Sequence, residues 1–150
     1  DVLGSRGLGD VYKRQGYGFV TYASAAKTRL LGVPAELIER CNVVSGPVAA
    51  AMARGALQAS GAELSVALTG LAGPGGALPG KPVGTVYLAG GDARTGRVHL
   101  MRLDLGGYAD RDNIRTRAAL YALDLLRRMA LGLPPEFGLT LEPGQPVPEL

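Results

Sequence analysis

Alternation of apolar and polar residues is clearest along Leu64–Leu68, where it predicts a half-buried strand. The β-rich run Thr85–Ala89 predicts a second strand. Between them, Gly70–Gly80 holds five glycines and two prolines, so the backbone can turn sharply and its N–H groups can surround an anion. An ordinary surface turn could have this composition. The length of the loop, with Thr69 and Lys81 at its two rims, favours a binding site.

The same loop contains an incomplete phosphate-loop pattern. Gly75–Lys81, GGALPGK, satisfies G-x-x-x-x-G-K, but Pro82 follows where that motif requires Ser or Thr. The next residues, VGTVYLAG, are typical of a strand and not of the helix that the motif requires. We therefore do not predict an NTPase.

Upstream, Tyr17–Ala23 is rich in β-branched and aromatic residues, and it predicts a strand. Ser24 is the expected N-cap of a short helix that ends at Gly32. Tyr22 then lies at a strand end, and Lys27 lies in the first turn of a helix. A cation there is unfavourable by about 0.3–1 kcal/mol, so a nearby anion would explain it. A solvated lysine is an equally good interpretation.

Two further helical segments follow. Pro34–Arg40 predicts a short helix, and Ser45 is the expected N-cap of a longer one, with Pro47 in its first turn and Gly61 at its end. The small residues on one face of that longer helix, such as Gly55, predict close packing on a sheet.

The second half of the chain predicts a hairpin and a long helix. Asp92–Gly96 is the expected turn, and Arg97–Leu105 returns as an antiparallel strand. The alternation breaks near Leu100 and Met101, which indicates either a bulge or a strand covered on both faces.

Asp110 is the expected cap of the helix Arg111–Leu131. Arg111 and Arg115 lie four residues apart in its first turns. They either bind an anion at the helix N-terminus or are neutralised by neighbouring aspartates, and both interpretations stay open. The proline-rich tail 134–150 has no period and is expected to be loose.

Composition indicates one soluble globular domain. The 16 basic and 13 acidic residues give a net charge of +3, and no basic cluster suggests nucleic-acid binding. The single cysteine, Cys41, excludes an internal disulfide and indicates a reducing cytoplasm. With His99 also isolated, we expect no metal. No apolar run is long enough to span a membrane, and no signal peptide is visible.

Residues 1–15, DVLGSRGLGDVYKRQ, show no period and resemble translated sequencing-adapter sequence. We interpret them as non-native, with one domain over residues 16–133 and the tail over residues 134–150. The native amino-terminal part of the domain would then be missing.

Four segments carry a family resemblance: FVTYASAAKTRLLGVP, VVSGPVAAAMARGA, LTGLAGPGG with KPVGTVYLA, and DRDNIRTRAALYALDLL. In this order and spacing they resemble the carboxy-terminal domain of the competence/damage-inducible protein CinA, a family of nicotinamide-nucleotide amidohydrolases. The resemblance implies a three-layer α/β/α fold with a mixed sheet. It also implies hydrolysis of the carboxamide of nicotinamide mononucleotide to nicotinic acid mononucleotide and ammonia, with a serine nucleophile and without metal or cofactor.

By position, Tyr22 and Lys27 match the family's Y-x-x-x-x-K segment, and Thr69 and Gly70 match its T-G pair. Arg111 or Arg115 matches the arginine of its last helix. From these matches and the residues themselves we expect Lys27 or Tyr22 to move a proton and the turn from Thr69 to Gly73 to serve the oxyanion. We expect Gly73, Lys81 and the arginine pair to bind the substrate, with the arginines holding its phosphate, so that these groups converge on one hollow.

The chain departs from the family pattern at one decisive place. The segment A-E-S-C-T-G-G, which carries the nucleophilic serine, is absent, and Ser5 stands in unrelated sequence. The family's Ser-Asn-Glu after the tyrosine is Ala23-Ser24-Ala25 here. We therefore expect a truncated copy with little or no activity, and a non-catalytic nucleotide-binding or regulatory module is the alternative. Expected partners are a small-molecule nucleotide and further copies of the chain, as a homo-oligomer, and neither nucleic acid nor a membrane.

Overall fold

The computed structural model describes residues 16–107 and 109–150, so our interpretation of residues 1–15 lies outside the described residues. The described chain forms helices and strands in the order α1 Ser24–Leu31, α2 Ala35–Cys41, α3 Gly46–Ser60, β1 Leu64–Gly70, β2 Thr85–Asp92, β3 Val98–Asp104, α4 Arg111–Leu131 and β4 Leu139–Leu141.

The four strands form one sheet in sequence order, β1-β2-β3-β4, and all three pairings are antiparallel. The expected α/β fold is confirmed. A mixed sheet is not found within the described residues, because each strand lies beside its predecessor in the chain and so runs in the opposite direction. The turn predicted at Asp92–Gly96 joins β2 to β3, and Asp92 there accepts hydrogen bonds from the backbone and the guanidinium of Arg94.

The prediction of a strand at Tyr17–Ala23 is wrong. This segment has no regular secondary structure, and Val20 and Tyr22 are almost fully exposed. The sequence has the right β propensity, but a strand also needs a neighbour to pair with its backbone, and the segment has none among the described residues.

The sheet is covered on both faces, which gives the three expected layers. Helices α1, α2 and α3 pack on one face around a core that contains Val48, Ala53 and Leu100. Helix α4 packs on the other face, where Ile114 and Leu125 meet buried residues of β2 and β3.

Strand β3 explains the break in alternation. Leu100 and Met101 are both buried, but they belong to the cores on opposite faces of the sheet. The pairing of β3 with β2 continues without a bulge, so the second of the two interpretations is correct.

Two of the three predicted N-caps are confirmed. The Ser45 hydroxyl accepts a hydrogen bond of 3.4 Å from the backbone N–H of Val48, and the Asp110 carboxylate accepts one of 2.8 Å from the backbone N–H of Asn113. The third prediction is off by one residue: Ser24 is already helical, and the N-cap is Ala23, which has no side-chain oxygen to offer.

Helices α1 and α3 approach each other very closely at Gly55. A Cβ atom built there would lie 1.8 Å from the carbonyl oxygen of Leu31, the last residue of α1. Glycine is therefore a steric requirement at this crossing, and it fixes how α1 lies on α3.

The tail makes contacts that the sequence analysis did not predict. Leu139–Leu141 adds the fourth strand to β3, and Val147 and Leu150 pack against the core under α1–α3. Sequence periodicity could not reveal this, because three paired residues and two apolar anchors are too few to form a repeating pattern.

Candidate functional site

The sheet face beneath α1–α3 becomes polar at one end. Thr69, Tyr87 and Arg102 are directly paired neighbours across β1, β2 and β3, and their side chains therefore form one row on this face. Thr85 lies on the same face, two residues before Tyr87. Its hydroxyl is the one buried side-chain polar atom in the described part of the chain that has no hydrogen-bond partner. A buried polar atom without a partner lowers stability by about 1–3 kcal/mol, so a ligand that formed a hydrogen bond with it would recover that free energy.

This polar end lies against the turn that leads into α3. The Thr69 hydroxyl donates to the carbonyl oxygen of Val43 at 2.7 Å. The Lys81 ammonium donates to the next carbonyl, that of Val44, at 2.8 Å, and it lies 5.5 Å from the centre of the Tyr87 ring. Thr69 and Lys81, the predicted rims of the loop, are therefore brought to one place.

Lys81 and Arg102 have anionic or carbonyl partners in the tail, in the loop and in β3. The Lys81 ammonium forms an ion pair of 2.5 Å with Glu149. The Arg102 guanidinium donates to the carbonyl oxygens of Gly80 and Leu150 and pairs with Asp104 at 3.2 Å.

The glycine-rich loop folds back onto the strands it joins. The N–H of Leu71 donates to the carbonyl of Thr85, and the N–H of Gly84 donates to the carbonyl of Leu71. Gly73 has a φ of +76°, which favours glycine, and its carbonyl oxygen accepts a hydrogen bond of 2.8 Å from Arg111. The loop thus contacts the N-terminus of α4 through one of the predicted arginines.

A hollow of about 590 Å³ lies on the opposite face of the sheet, between β1 and the first turns of α4. Its lining includes Leu68, Gly70, Ala72, Asp112 and Arg115. The Arg115 side chain is 66% exposed. Its guanidinium lies 3.5 Å from the Asp112 carboxylate, which is long for an ion pair, so this contact is weak. Its position beside the N–H groups that begin a helix suits an anion.

Lys27 and Tyr22 lie at the start of α1 and line neither place. Lys27 is 5% exposed, and its ammonium donates to the carbonyl oxygens of Thr21 at 2.5 Å and Tyr22 at 3.4 Å. Burial lowers the pKa of Lys27 from its usual value, because desolvation disfavours the charged form. Tyr22 is 93% exposed.

The predicted residues therefore form three groups instead of sharing one hollow. Thr69 and Lys81 lie under α1–α3, Gly70 and Arg115 line the hollow on the α4 side, and Tyr22 and Lys27 lie at the start of α1. Arg111 and Gly73 link the loop to α4. The division arises at Thr69 and Gly70, because successive residues of a strand face opposite sides of a sheet.

Sequence reasoning missed Thr85, Tyr87 and Arg102. The available signal was a polar or amphipathic residue inside a strand that is otherwise apolar, at Thr85 and Tyr87 in β2 and at Arg102 in RVHLMRLDL. Pairing of the strands was needed to show that Tyr87 and Arg102 are neighbours.

Among the described residues, no group of three or more His, Cys, Asp or Glu side chains is placed to hold a metal ion. None of the helices in residues 16–107 and 109–150 combines the length and apolar character that a membrane crossing requires.

These features define a class of protein: a three-layer α/β/α domain with a glycine-rich loop between two antiparallel strands. In this domain an arginine at a helix N-terminus holds the loop in place. Residues 5–130 match the model of the CinA C-terminal domain family, and the chain belongs to that family. The resemblance seen in the sequence motifs is thereby confirmed.

Relatives agree with this assignment. The putative competence-damage inducible protein of Symbiobacterium thermophilum is 52% identical over 124 residues, which are 78% of this chain and 29% of that protein. The CinA-like protein of Mycolicibacterium vanbaalenii is 52% identical over 119 residues, which are 77% of this chain and 26% of that protein. The chain thus spans less than a third of the length of these curated relatives.

Solved structures carry the same fold. The competence/damage inducible protein CihA from Agrobacterium tumefaciens has a TM-score of 0.71 at 42% identity, covering 77% of this chain and 67% of that one. The CinA superfamily protein from Escherichia coli has a TM-score of 0.68 at 36% identity, covering 75% of this chain and 63% of that one.

Proposed function

We propose that the chain is part of an amidohydrolase that converts nicotinamide mononucleotide to nicotinic acid mononucleotide and ammonia. The family resemblance suggests the reaction. For this chain, the supporting observation is that the hydrogen bond from Arg111 to Gly73 holds the glycine-rich loop against the N-terminus of α4, beside the hollow that Gly70 and Arg115 line.

The hollow suits a mononucleotide in size and charge. Its volume of about 590 Å³ falls in the range of small-molecule sites. The Arg115 guanidinium would exchange its weak contact with Asp112 for a charge-assisted pair with the 5′-phosphate, next to the positive end of the α4 dipole.

Amide hydrolysis also needs a nucleophile, a proton carrier and hydrogen-bond donors for the oxyanion. Backbone N–H groups of the turn from Thr69 to Gly73, other than that of Leu71, which donates to the Thr85 carbonyl, are the proposed donors. Lys27 is the proposed proton carrier. Its lowered pKa suits that role, and its ammonium would have to leave the carbonyl oxygens of Thr21 and Tyr22 to reach the substrate. The serine of the family's A-E-S-C-T-G-G segment is the proposed nucleophile of the intact protein. The serine hydroxyl would add to the carboxamide carbon as the carrier takes its proton, and ammonia would leave with that proton to give the acyl-enzyme. Water would then add to the acyl carbon, giving its proton through the carrier to the serine as nicotinic acid mononucleotide is released.

The second candidate is a module that binds the nucleotide without turnover. The position of Lys27 favours it, since the ammonium group donates to backbone carbonyls of its own segment and not into the hollow. Tyr22 is also exposed and contributes nothing to the hollow's lining.

Calorimetric titration of the chain with nicotinamide mononucleotide, together with an assay of ammonia release by a chain restored with the serine segment, tests both candidates. Arg115→Ala should raise the dissociation constant about tenfold, the loss of about 1.4 kcal/mol expected for one charge-assisted contact. Arg127→Ala is the matched control, because Arg127 lies on the same helix, pairs with Asp124 and does not line the hollow.

Ammonia release that depends on Arg115 would support the amidohydrolase. Binding that depends on Arg115 without ammonia release, in a chain restored with the serine segment, would support the binding module instead. Equal affinity of wild type and Arg115→Ala would remove the hollow from both proposals.

A further inference from the structure

The last residues of the chain lie in a cleft over the polar end of the sheet. Glu149 pairs with the Lys81 ammonium at 2.5 Å. The carbonyl oxygen of Leu150 accepts hydrogen bonds from the Tyr87 hydroxyl at 2.9 Å and from the Arg102 guanidinium at 3.1 Å. In these three contacts the segment Val147–Leu150 supplies the acceptors, and Lys81, Tyr87 and Arg102 supply the donors.

The backbone and the apolar side chains of the segment also contact the rest of the domain. Val147 and Leu150 pack against the core under α1–α3. A Cβ atom built on Gly46 would lie 2.9 Å from the carbonyl oxygen of Pro148, so the segment lies directly on the first turn of α3. A carbonyl oxygen at that end of a helix meets the positive end of the dipole, as an anion would.

Without the segment, the cleft would hold an ammonium, a guanidinium and a phenolic hydroxyl close together, those of Lys81, Arg102 and Tyr87. Thr85, on the same sheet face, adds a buried hydroxyl that still lacks a partner. Lys81 and Arg102, whose guanidinium also pairs with Asp104, bring two cations beside neutral donors, and this combination suits a phosphate monoester. Carboxylate and carbonyl oxygens of the segment satisfy most of these donors and leave Thr85 unsatisfied.

We propose that Val147–Leu150 is an internal ligand that occupies a phosphate-binding cleft formed by Lys81, Tyr87 and Arg102, and that a phosphate monoester binds there by displacing it. The inference rests on the proposed function only for the choice of nicotinamide mononucleotide as one probe. The segment is covalently attached and therefore competes with phosphate as if it were present at a concentration on the order of millimolar, the value typical of a short flexible linker. The apparent affinity for phosphate falls as the fraction of molecules whose cleft is occupied by the segment rises.

The test uses the full chain with Glu149→Gln and, as the matched control, Glu142→Gln. Both glutamates lie in the tail and each has one ion pair, with Lys81 and with Arg97 respectively, but only Glu149 contacts the cleft. Affinity for inorganic phosphate and for nicotinamide mononucleotide is measured by calorimetry. Hydrogen exchange of the amides of Val147, Glu149 and Leu150 is measured with and without each ligand.

Glu149→Gln should lower the apparent dissociation constant about twofold to fivefold, since an exposed ion pair contributes up to about 1 kcal/mol. Glu142→Gln should leave it unchanged, and each ligand should speed exchange in the segment of the wild type. Leu150→Ser removes an apolar anchor without changing charge, and it should act in the same direction as Glu149→Gln.

Equal affinities of all variants, with segment exchange unaffected by ligand, would overturn the inference and leave the hollow of the proposed function untouched. Displacement by inorganic phosphate without any binding of nicotinamide mononucleotide would support the inference and contradict the proposed function. Failure of both ligands to bind to any variant would overturn both.

Discussion

The guanidinium of Arg111 donates a hydrogen bond of 2.8 Å to the carbonyl oxygen of Gly73, a residue 38 positions earlier in the chain. This contact joins the glycine-rich loop to the start of α4. It leaves Arg115, one turn further along the helix, directed to the hollow with only a weak ion pair. The two arginines therefore differ in role: Arg111 positions the loop, and Arg115 is available to a ligand.

Arg111→Ala should speed hydrogen exchange of the amides in residues 71–84, because the loop loses its link to α4. Arg115→Ala, with the same change of charge four residues away, should leave loop exchange unchanged. Both variants should lose no more than about 1 kcal/mol of unfolding free energy, since both side chains are largely exposed. Identical exchange in the two variants would contradict the division of roles.

Thr85→Val should raise the free energy of unfolding by about 1 kcal/mol, because it removes a buried hydroxyl that has no partner and keeps the side-chain shape. Thr69→Val is the matched comparison on the neighbouring strand. It should lower the free energy by about 1–3 kcal/mol, since it leaves the Val43 carbonyl without its donor. Denaturant titration measures both, and changes of the same sign would refute the assignment.

Gly55→Ala should destabilise the fold by at least about 1–3 kcal/mol, because the new methyl group would overlap the Leu31 carbonyl and force α1 away from α3. Alanine otherwise stabilises a helix by about 1 kcal/mol relative to glycine, so the sign is informative. Gly75→Ala is the control: nothing lies within 4 Å of its Cβ position, and its effect should stay within about 0.5 kcal/mol.

Lys27 should make stability depend on pH in the alkaline range. Its pKa is lowered in the fold by burial, whereas in the unfolded chain it has its ordinary value of about 10.4. Between these two pKa values the unfolded chain binds the extra proton, so the free energy of unfolding rises with pH across that interval. At pH values below the pKa of Lys27 in the folded protein, the buried ammonium lowers the free energy of unfolding by its full amount.

Lys27→Met removes this titration. The unfolding free energy of the wild type, measured relative to Lys27→Met by denaturant titration, should therefore increase from neutral pH to about pH 10. A difference that is the same at both pH values would mean that the ammonium is not desolvated in the fold.

Much of the fold follows from local pattern. The strand at Leu64, the hairpin turn after Asp92 and the helices capped by Ser45 and Asp110 were all predicted, because each depends on residues close together in sequence. The segment from Tyr17 was mispredicted as a strand, since propensity cannot supply the neighbour that pairs with its backbone. The contacts of the tail escaped prediction for the opposite reason: their partners, β3 and the cleft, are distant in sequence.

By itself, the sequence determined the class of fold and the family, because strand and helix periods, caps and motif spacing are local properties. Only the tertiary structure decided that Thr69 and Gly70 serve opposite faces of the sheet, that Arg111 holds the loop, and that Glu149 lies on Lys81. Those outcomes depend on strand pairing and on contacts between distant segments, where a change of one residue in register or one turn of helix would bring different groups together.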